Sequence, residues 1–334
     1  MSKMLRVHQF GSVAGVQLDD IEVRQPGADE ARIKVAAAGI SGDQLNFIKG
    51  RFLPGQPVPE TPASLGYEAA GVVTAVGPNV DSNWVGKRVA PIGPYDFLKY
   101  GSFGEEIIVP ADRLAEIPDQ LPFDQAAALW VPYLTAYPIA VTNPQLTHGY
   151  VLITAATSTV GHAAIQIAQA RGLEVIGTTR SAAKAKLLKE ETGIENVIVS
   201  GQDDFVKSIQ QMTNGHGIDI AFDPIFGQTI TELADAMAMG GHIIEYGVIA
   251  GMEAPMPVPQ LLGKGLTIKG YSVSEVVDHS EIRQTASQYV LDHITAGDFT
   301  PLIAKEFPLA DFKAAFDQLA KNDLLGRVIL TMDK

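Results

Sequence analysis

The stretch that decides the fold reads VLITAATSTVGHAAIQIAQA and runs from Val151 to Ala170. It begins with a short apolar run that is typical of a buried strand, and its second half repeats apolar residues at helical spacing. Gly172 follows as a helix cap, and Glu174–Thr179 predicts a second strand. This order of strand, tight turn, helix and strand predicts a dinucleotide-binding unit in a parallel α/β sheet.

The turn inside this stretch has only one of the glycines that a dinucleotide fingerprint normally contains. Ala155 takes the first glycine position and Ser158 the second, while Gly161 keeps the third. Small side chains still permit a tight turn if the backbone needs no positive φ, and phosphate is held mainly by backbone N–H groups and the helix dipole. The alternative is an ordinary turn that binds no ligand. As pyrophosphate contacts we predict Ala156, Ser158, Thr159 and Val160.

The end of the second predicted strand indicates which nucleotide binds. An NAD site normally places an Asp or Glu there, which accepts a hydrogen bond from the ribose 2′-hydroxyl. This chain instead has Thr179 and Arg180, followed by Lys184 at the start of the next predicted helix. Hydroxyl and cationic side chains suit a 2′-phosphate, and a helix start disfavours cations that lack such a partner. We therefore predict NADPH over NADH, the alternative being a solvated basic helix start.

The chain changes its pattern twice, which predicts two domains. Residues 1–122 contain short alternating stretches and frequent Gly and Pro turn signals, as a β-rich domain would. In residues 123–294 strands alternate with helices, which predicts a doubly wound parallel sheet of the Rossmann type. Residues 295–334 return to the first pattern, and we expect them to pack on the first domain. The predicted fold class is α/β.

Composition excludes several chemistries. The 334 residues carry a net charge of −13, which disfavours nucleic acid and anionic membranes as partners. Cysteine is absent, so thiol nucleophiles, disulfides and thiolate metal sites are excluded, and the seven histidines show no metal-binding spacing. The first residues lack the apolar core of a secretory signal and no apolar run reaches the length of a bilayer span, so we expect neither a signal nor a membrane span. We therefore expect a cytoplasmic protein without metal, membrane or nucleic-acid partner.

Five motifs along the chain occur in an order that resembles a known family. In chain order they are Ala37–Ile40 with Asp43–Gly50, Leu65–Val73 with Ala75–Gly77, Gly86–Val89, Ala126–Leu129 with Leu134–Tyr137, and Val151–Gly161. Together they resemble the medium-chain dehydrogenase/reductase superfamily, specifically its zinc-free quinone oxidoreductase-like branch. The resemblance covers nearly the whole chain. It implies a GroES-like catalytic domain and a Rossmann NADPH-binding domain, with the site in the cleft between them.

The resemblance also bears on zinc. Zinc-dependent members place a cysteine, a histidine and a second cysteine where this chain has Ser41, Tyr67 and Val131. The neighbouring Glu68 is retained, but a single carboxylate does not hold zinc. Without a metal to polarise a carbonyl, the acceptors that fit best need little electrophilic help. The expected activity is therefore NADPH-dependent reduction of quinones or α,β-unsaturated carbonyl compounds.

The resemblance implies further site residues. Asn46, and Tyr67 at the position of the lost zinc histidine, are candidates to donate a hydrogen bond to the substrate, with plain packing as the alternative for both. Trp130 and Tyr133 would form an aromatic wall for flat substrates, or else belong to the core. The implied cofactor contacts are Thr135 at the nicotinamide carboxamide, the turn residues Tyr246 and Gly247, and Arg327, whose alternative is a surface strand charge.

Two other functions stay open. Enoyl-thioester reductases of the superfamily carry a tyrosine proton donor where this chain has Phe52, which argues against that activity. A non-catalytic member would instead bind NADPH and serve as a structural or RNA-binding protein. Relatives form dimers through the strand that Leu266–Gly270 would supply, and an apolar sheet edge favours pairing, so we expect a homodimer.

Overall fold

The computed structural model describes residues 1–51, 57–321 and 323–332. The chain divides into two compact units, a first unit of Met1–Val131 with Thr300–Lys334 and a second unit of Pro132–Phe299. The functional domain boundaries expected from the sequence, at residues 122/123 and 294/295, stay a prediction.

Strands and helices are numbered along the chain. The strands are β1 Ser2–Val7, β2 Val16–Ile21, β3 Glu30–Ile40, β4 Ala63–Ser64, β5 Ala69–Val76, β6 Arg88–Val89, β7 Glu106–Pro110, β8 Tyr150–Ile153, β9 Glu174–Thr179, β10 Asn196–Val199, β11 Ile218–Asp223, β12 Met237–Glu245, β13 Thr267–Gly270, β14 Ile303–Pro308 and β15 Arg327–Thr331. The helices are α1 Gly42–Ile48, α2 Phe123–Ala126, α3 Trp130–Ala136, α4 Pro138–Val141, α5 Thr159–Ala170, α6 Ala182–Thr192, α7 Phe205–Met212, α8 Ile230–Ala236, α9 Val258–Lys264, α10 Ser274–Val277, α11 Ser280–Ala296 and α12 Phe312–Lys321.

The first unit is built on two sheets. Their strand orders are β2-β1-β4 and β14-β15-β3-β5-β6, and β7 also pairs with β3. Along the first half of β3, Ala31, Ile33 and Val35 are buried and alternate with more exposed residues, so the period-two pattern of the sequence becomes one core face. The last strand, β15, pairs antiparallel with β3, so the end of the chain belongs to the first unit.

The second unit contains one parallel sheet in the order β10-β9-β8-β11-β12-β13, with helices in the connections. Counted within the unit, this is the 3-2-1-4-5-6 order of a doubly wound Rossmann sheet, which confirms the predicted fold class. The strand order reverses between β8 and β11. In sheets of this kind the ligand binds outside the carboxyl ends of the strands at that switch point, so the turns after β8 and β11 hold the candidate nucleotide site.

Candidate functional site

The turn after β8 keeps the close packing of a nucleotide-binding turn. A Cβ added to Gly161 would lie 2.6 Å from the carbonyl oxygen of Ala156, so a glycine is needed at the third fingerprint position. Ser158, at the second position, caps α5 because its hydroxyl oxygen accepts from the Gly161 N–H at 2.9 Å. Beyond the helix, Gly172 has a φ of +73°, as its predicted capping role requires.

Ala155, at the first fingerprint position, has a φ of +47°. The sequence analysis accepted a small side chain here on the condition that the backbone needs no positive φ, and Ala155 does not meet that condition. An L-residue in this conformation costs about 1–2 kcal/mol. Strain of this size persists only where the surrounding structure imposes it, and such positions cluster at ligand sites.

The predicted pyrophosphate contacts differ in what they offer. Thr159 and Val160 are the first residues of α5, so their N–H groups have no carbonyl one turn earlier to bond. The N–H of Ala156 instead donates to the Thr178 carbonyl at 3.0 Å, and the residue is fully buried. Ser158 uses its oxygen as the helix cap and keeps its hydroxyl proton for another acceptor. The backbone donors at the start of α5 are therefore the main anion-binding groups of this turn.

The end of β9 carries the predicted basic turn. Thr179 is the last residue of β9 and is buried, whereas Arg180 follows it with an exposed side chain. No carboxylate in the described ranges pairs with Arg180. Ser181 caps α6 by accepting from the Lys184 N–H at 3.4 Å, which places Lys184 in the first turn of that helix. Arg180 and Lys184 thus follow β9, at the place where an NAD site has a carboxylate.

Tyr246 and Gly247 directly follow β12. The Tyr246 ring stacks on Phe222 with the ring centroids 4.0 Å apart. Burial, assisted by the Asp223 charge, raises the pKa of the Tyr246 phenol. A Cβ on Gly247 would lie 2.8 Å from the Pro224 carbonyl oxygen, so glycine permits the turns after β11 and β12 to touch.

Three residues that the sequence analysis singled out lie on α3, namely Trp130, Tyr133 and Thr135. Thr135 itself is buried, and its predicted carboxamide contact stays a prediction. Trp130 donates its indole N–H to the Ala90 carbonyl at 2.8 Å, and the Tyr133 hydroxyl donates to Gln166. Both rings are almost completely buried. The interpretation of Trp130 and Tyr133 as core residues therefore holds, and their interpretation as an aromatic wall for flat substrates does not.

In the first unit, Ser41, Asp43 and Tyr67 form a hydrogen-bonded cluster. The Ser41 hydroxyl donates to one oxygen of the Asp43 carboxylate and the Tyr67 phenol donates to the other, and the two hydroxyl oxygens are 3.3 Å apart. Tyr67 is buried whereas Asp43 is exposed. Burial and then the Asp43 charge raise the pKa of Tyr67, so the phenol keeps its proton. The cluster connects a buried phenol to an exposed carboxylate, and the sequence analysis gave Asp43 no role in the site.

Asn46 lies on α1, one turn after Asp43, so both side chains are on the same face of the helix. The Asn46 side chain is exposed, and its Oδ1 accepts from Arg51 at 3.4 Å. Its amide NH₂ group therefore remains a donor next to the cluster. Phe52, which stands at the position of the enoyl-reductase tyrosine, lies outside the described residues.

Arg327, on β15, is buried against Glu68. The two side chains form an ion pair, and the other Glu68 oxygen accepts from the Val131 N–H at 3.2 Å. Burial lowers the pKa of Arg327, and the nearby Tyr67 and Asp43 raise it. Arg327 is thus no surface charge, which excludes that alternative, and its cofactor contact stays a prediction.

An aromatic surface adjoins Tyr67. Phe47, on α1, packs edge-on against Phe97 with the centroids 5.0 Å apart, and Phe97 lies 6.0 Å from the Tyr67 ring. Both phenylalanines are partly exposed. Sequence reasoning missed this surface because Phe97 lies in an irregular loop whose path no local pattern predicts.

Within the described ranges, no group of three or more His, Cys, Asp or Glu side chains is placed to hold a metal ion. No helix in that same part of the chain is sufficiently long and apolar to cross a membrane.

Comparison with known proteins assigns the family. The Alcohol dehydrogenase GroES-like domain model matches residues 27–119, and the Zinc-binding dehydrogenase model matches residues 159–292. The human mitochondrial enoyl-[acyl-carrier-protein] reductase is 30% identical over 95% of this chain and 85% of its own length. This chain belongs to the medium-chain dehydrogenase/reductase superfamily.

Other members of the superfamily match along their full length. A 2-haloacrylate reductase from a Burkholderia species is 28% identical over 97% of both chains. The crystal structure of Escherichia coli quinone oxidoreductase complexed with NADPH has a TM-score of 0.85 at 26% identity, covering 98% of this chain and 99% of that one. This dehydrogenase/reductase is therefore an oxidoreductase of a dinucleotide-binding family.

Proposed function

We propose that this chain is an NADPH-dependent, zinc-independent reductase that transfers hydride to quinones or α,β-unsaturated carbonyl compounds. The observation that carries the proposal is the cluster of Ser41, Asp43 and Tyr67. Its hydroxyls stand where zinc-dependent members have a cysteine and a histidine. Hydroxyl groups can stabilise a developing oxyanion, but they do not form a zinc site with the usual nitrogen and sulfur ligands.

Nucleotide binding would use the second unit. Thr159 and Val160, at the start of α5, would hold the pyrophosphate through their N–H groups. Arg180 and Lys184 would bind the 2′-phosphate, because both are cations that follow β9 where no acid stands. Bound NADPH would supply the hydride. The Escherichia coli relative, whose crystal contains NADPH, supports this choice of nucleotide.

Substrate binding would use the first unit. Phe47 and Phe97 offer flat apolar faces beside Tyr67, which suit a planar quinone or a conjugated enone. The Asn46 amide would donate a hydrogen bond to the acceptor oxygen as negative charge develops on it. The Tyr67 phenol has one O–H, which would turn from the Asp43 carboxylate to the same oxygen. Asp43 is exposed and accepts from Tyr67, so it connects the phenol to solvent protons. The Burkholderia relative reduces, by its name, a 2-haloacrylate, which is an activated alkene.

The test is an activity assay that follows the loss of nicotinamide absorbance. We expect NADPH to reduce 1,2-naphthoquinone and a small enone, and prior treatment with EDTA to change the rate by less than about twofold. A rate that falls to background after EDTA and returns with zinc would refute zinc independence. Faster turnover of an enoyl-CoA than of either acceptor would favour the enoyl-thioester alternative. NADPH binding without any turnover would favour a non-catalytic structural or RNA-binding role.

We also propose that the cytoplasmic enzyme is a homodimer that pairs through β13. This strand is the edge of the parallel sheet, and the segment before it exposes large apolar side chains, as unpartnered interaction surfaces do. These are Ile249, Met252, Met256 and Leu262. Light scattering is expected to give about twice the subunit mass of 35.6 kDa. A single-subunit mass at micromolar concentration would contradict the proposal.

A further inference from the structure

Two carboxyl side chains are buried side by side at the carboxyl edge of the parallel sheet. Asp223 is the last residue of β11 and Glu245 the last of β12, and they are register partners in the parallel pair. Their exposed fractions are 1% and 8%. Two neighbouring carboxylates in such a place cannot both ionise at low free-energy cost, so the pair holds a proton.

Asp223 is the member of the pair that accepts hydrogen bonds from neighbouring groups. Its carboxylate accepts from the Thr154 hydroxyl, from the Ile225 N–H at 3.1 Å and from the Phe226 N–H at 2.8 Å. Thr154 directly follows β8. Asp223 therefore joins the turns after β8 and β11, which are the two strands that flank the switch point.

Glu245 is the protonated member. Both of its side-chain oxygens are buried and lack a hydrogen-bond donor among the described residues. Burial and then the Asp223 charge raise the pKa of Glu245 to about 9. At neutral pH the side chain is therefore an uncharged acid whose hydroxyl has the neighbouring Asp223 carboxyl as its acceptor.

Among the described residues, the other elements around Glu245 bring no cation that pairs with it. On β13 its register partner is Gly270, and the adjacent Lys269 is paired with Glu275 of α10 at 3.0 Å. Tyr271, which follows β13, donates its hydroxyl to the Leu134 carbonyl at 2.7 Å. Lys264 of α9 is bonded to carbonyls at the opposite end of β12, such as that of Met237.

We propose that Glu245 is a positioning residue for the nucleotide, because as an uncharged acid it donates a hydrogen bond to Asp223 and so fixes the turns at the switch point. The inference rests on the proposed NADPH binding. When Glu245 ionises, the pair repels, the link between Asp223 and Thr154 weakens, and a second negative charge lies under the site of an anionic cofactor. NADPH affinity should therefore fall as the pH rises through the pKa of Glu245.

The same proton makes the free energy of unfolding depend on pH. The unfolded chain releases the Glu245 proton near the usual value of 4.5, and the folded chain keeps it to about 9. The stability associated with this proton is thus fully present below about 4.5 and is lost progressively up to about 9. A glutamine, which is uncharged at every pH and has an NH₂ donor, should remove this dependence.

The experiment measures NADPH dissociation constants by nicotinamide fluorescence from pH 7 to pH 10 for the wild type, Glu245→Gln and Glu245→Leu. The wild type should bind about tenfold more weakly at pH 10 than at pH 8, whereas Glu245→Gln should change by less than about threefold. Glu245→Leu, which has no donor, should bind about tenfold more weakly at pH 7. Urea unfolding of the nucleotide-free proteins at the same pH values reports whether each variant folds.

The outcomes separate the two proposals. If the wild type binds no NADPH at pH 7, the proposed function fails and the positioning role fails with it. If the wild type binds NADPH but shares its pH dependence with Glu245→Gln, only the positioning role is overturned. The same holds if a folded Glu245→Leu binds as tightly as the wild type. If Glu245 had a purely structural role, its substitution would change the free energy of unfolding but not the pH dependence of NADPH binding.

Discussion

Replacing Arg180 with alanine is expected to weaken NADPH binding by about 10- to 100-fold and to change NADH binding by less than about twofold. A charge-assisted hydrogen bond contributes about 1.5–3 kcal/mol, and NADPH alone carries the 2′-phosphate that would receive it. Arg180 is exposed and no described carboxylate pairs with it, so its removal leaves no charge uncompensated. Fluorescence titrations with both nucleotides provide the measurement.

Lys186→Ala is the matched control for this prediction. Lys186 lies on α6, its side chain is 79% exposed, and its ammonium pairs with Glu190 at 3.7 Å. The control removes one positive charge from the helix that follows Arg180 and should leave the nucleotide preference unchanged. If Arg180→Ala weakens the binding of NADPH and of NADH equally, Arg180 does not recognise the 2′-phosphate.

A Tyr67→Phe variant is expected to lose about 100- to 1,000-fold in kcat for quinone or enone reduction while its NADPH dissociation constant stays within about twofold of the wild type. The phenol is the buried donor of the cluster with Asp43, and phenylalanine keeps the ring that packs near Phe97. The substitution therefore removes the one O–H that would turn from Asp43 to the developing oxyanion, and it keeps the packing of the ring. Steady-state kinetics combined with nucleotide titration separates the two effects.

Tyr95→Phe serves as the control for the loss of a buried phenol. Tyr95 lies in the same unit, is 9% exposed, and its hydroxyl has no hydrogen-bond partner in the described part of the chain. Its replacement should preserve kcat and should not reduce stability, since it removes an unsatisfied polar group. Equal losses of kcat in both variants would show that packing, and not a hydrogen bond from Tyr67, accounts for the effect.

The sequence predicts the second unit well because its signals are local. Strands of a parallel sheet are covered on both faces, so β8 reads as an uninterrupted apolar run, and α5 follows it with a helical period. The roles of Gly161 and Gly172 can also be predicted from sequence. Gly161 permits close packing, and Gly172 permits a positive φ. The basic turn after β9 also follows from sequence, because neighbouring residues form it.

The remaining features depend on contacts between distant residues. Asp43 and Tyr67 are 24 residues apart and meet only when α1 packs near the start of β5. The pairing of Asp223 with Glu245 requires the register between β11 and β12, which no periodicity specifies. Ala155 shows a different limit, because alanine gives no sign that its backbone adopts a positive φ. Local patterns thus locate the nucleotide turn, and tertiary packing decides the ionisable groups around both candidate sites.

The most direct test of the central claim is a titration of the purified wild-type protein with NADPH and with NADH, followed by nicotinamide fluorescence. A basic turn after β9 that binds the 2′-phosphate predicts saturable NADPH binding at least about tenfold tighter than NADH binding. Absence of binding by either nucleotide, or tighter binding of NADH, would contradict the proposal that this superfamily member is an NADPH-dependent reductase.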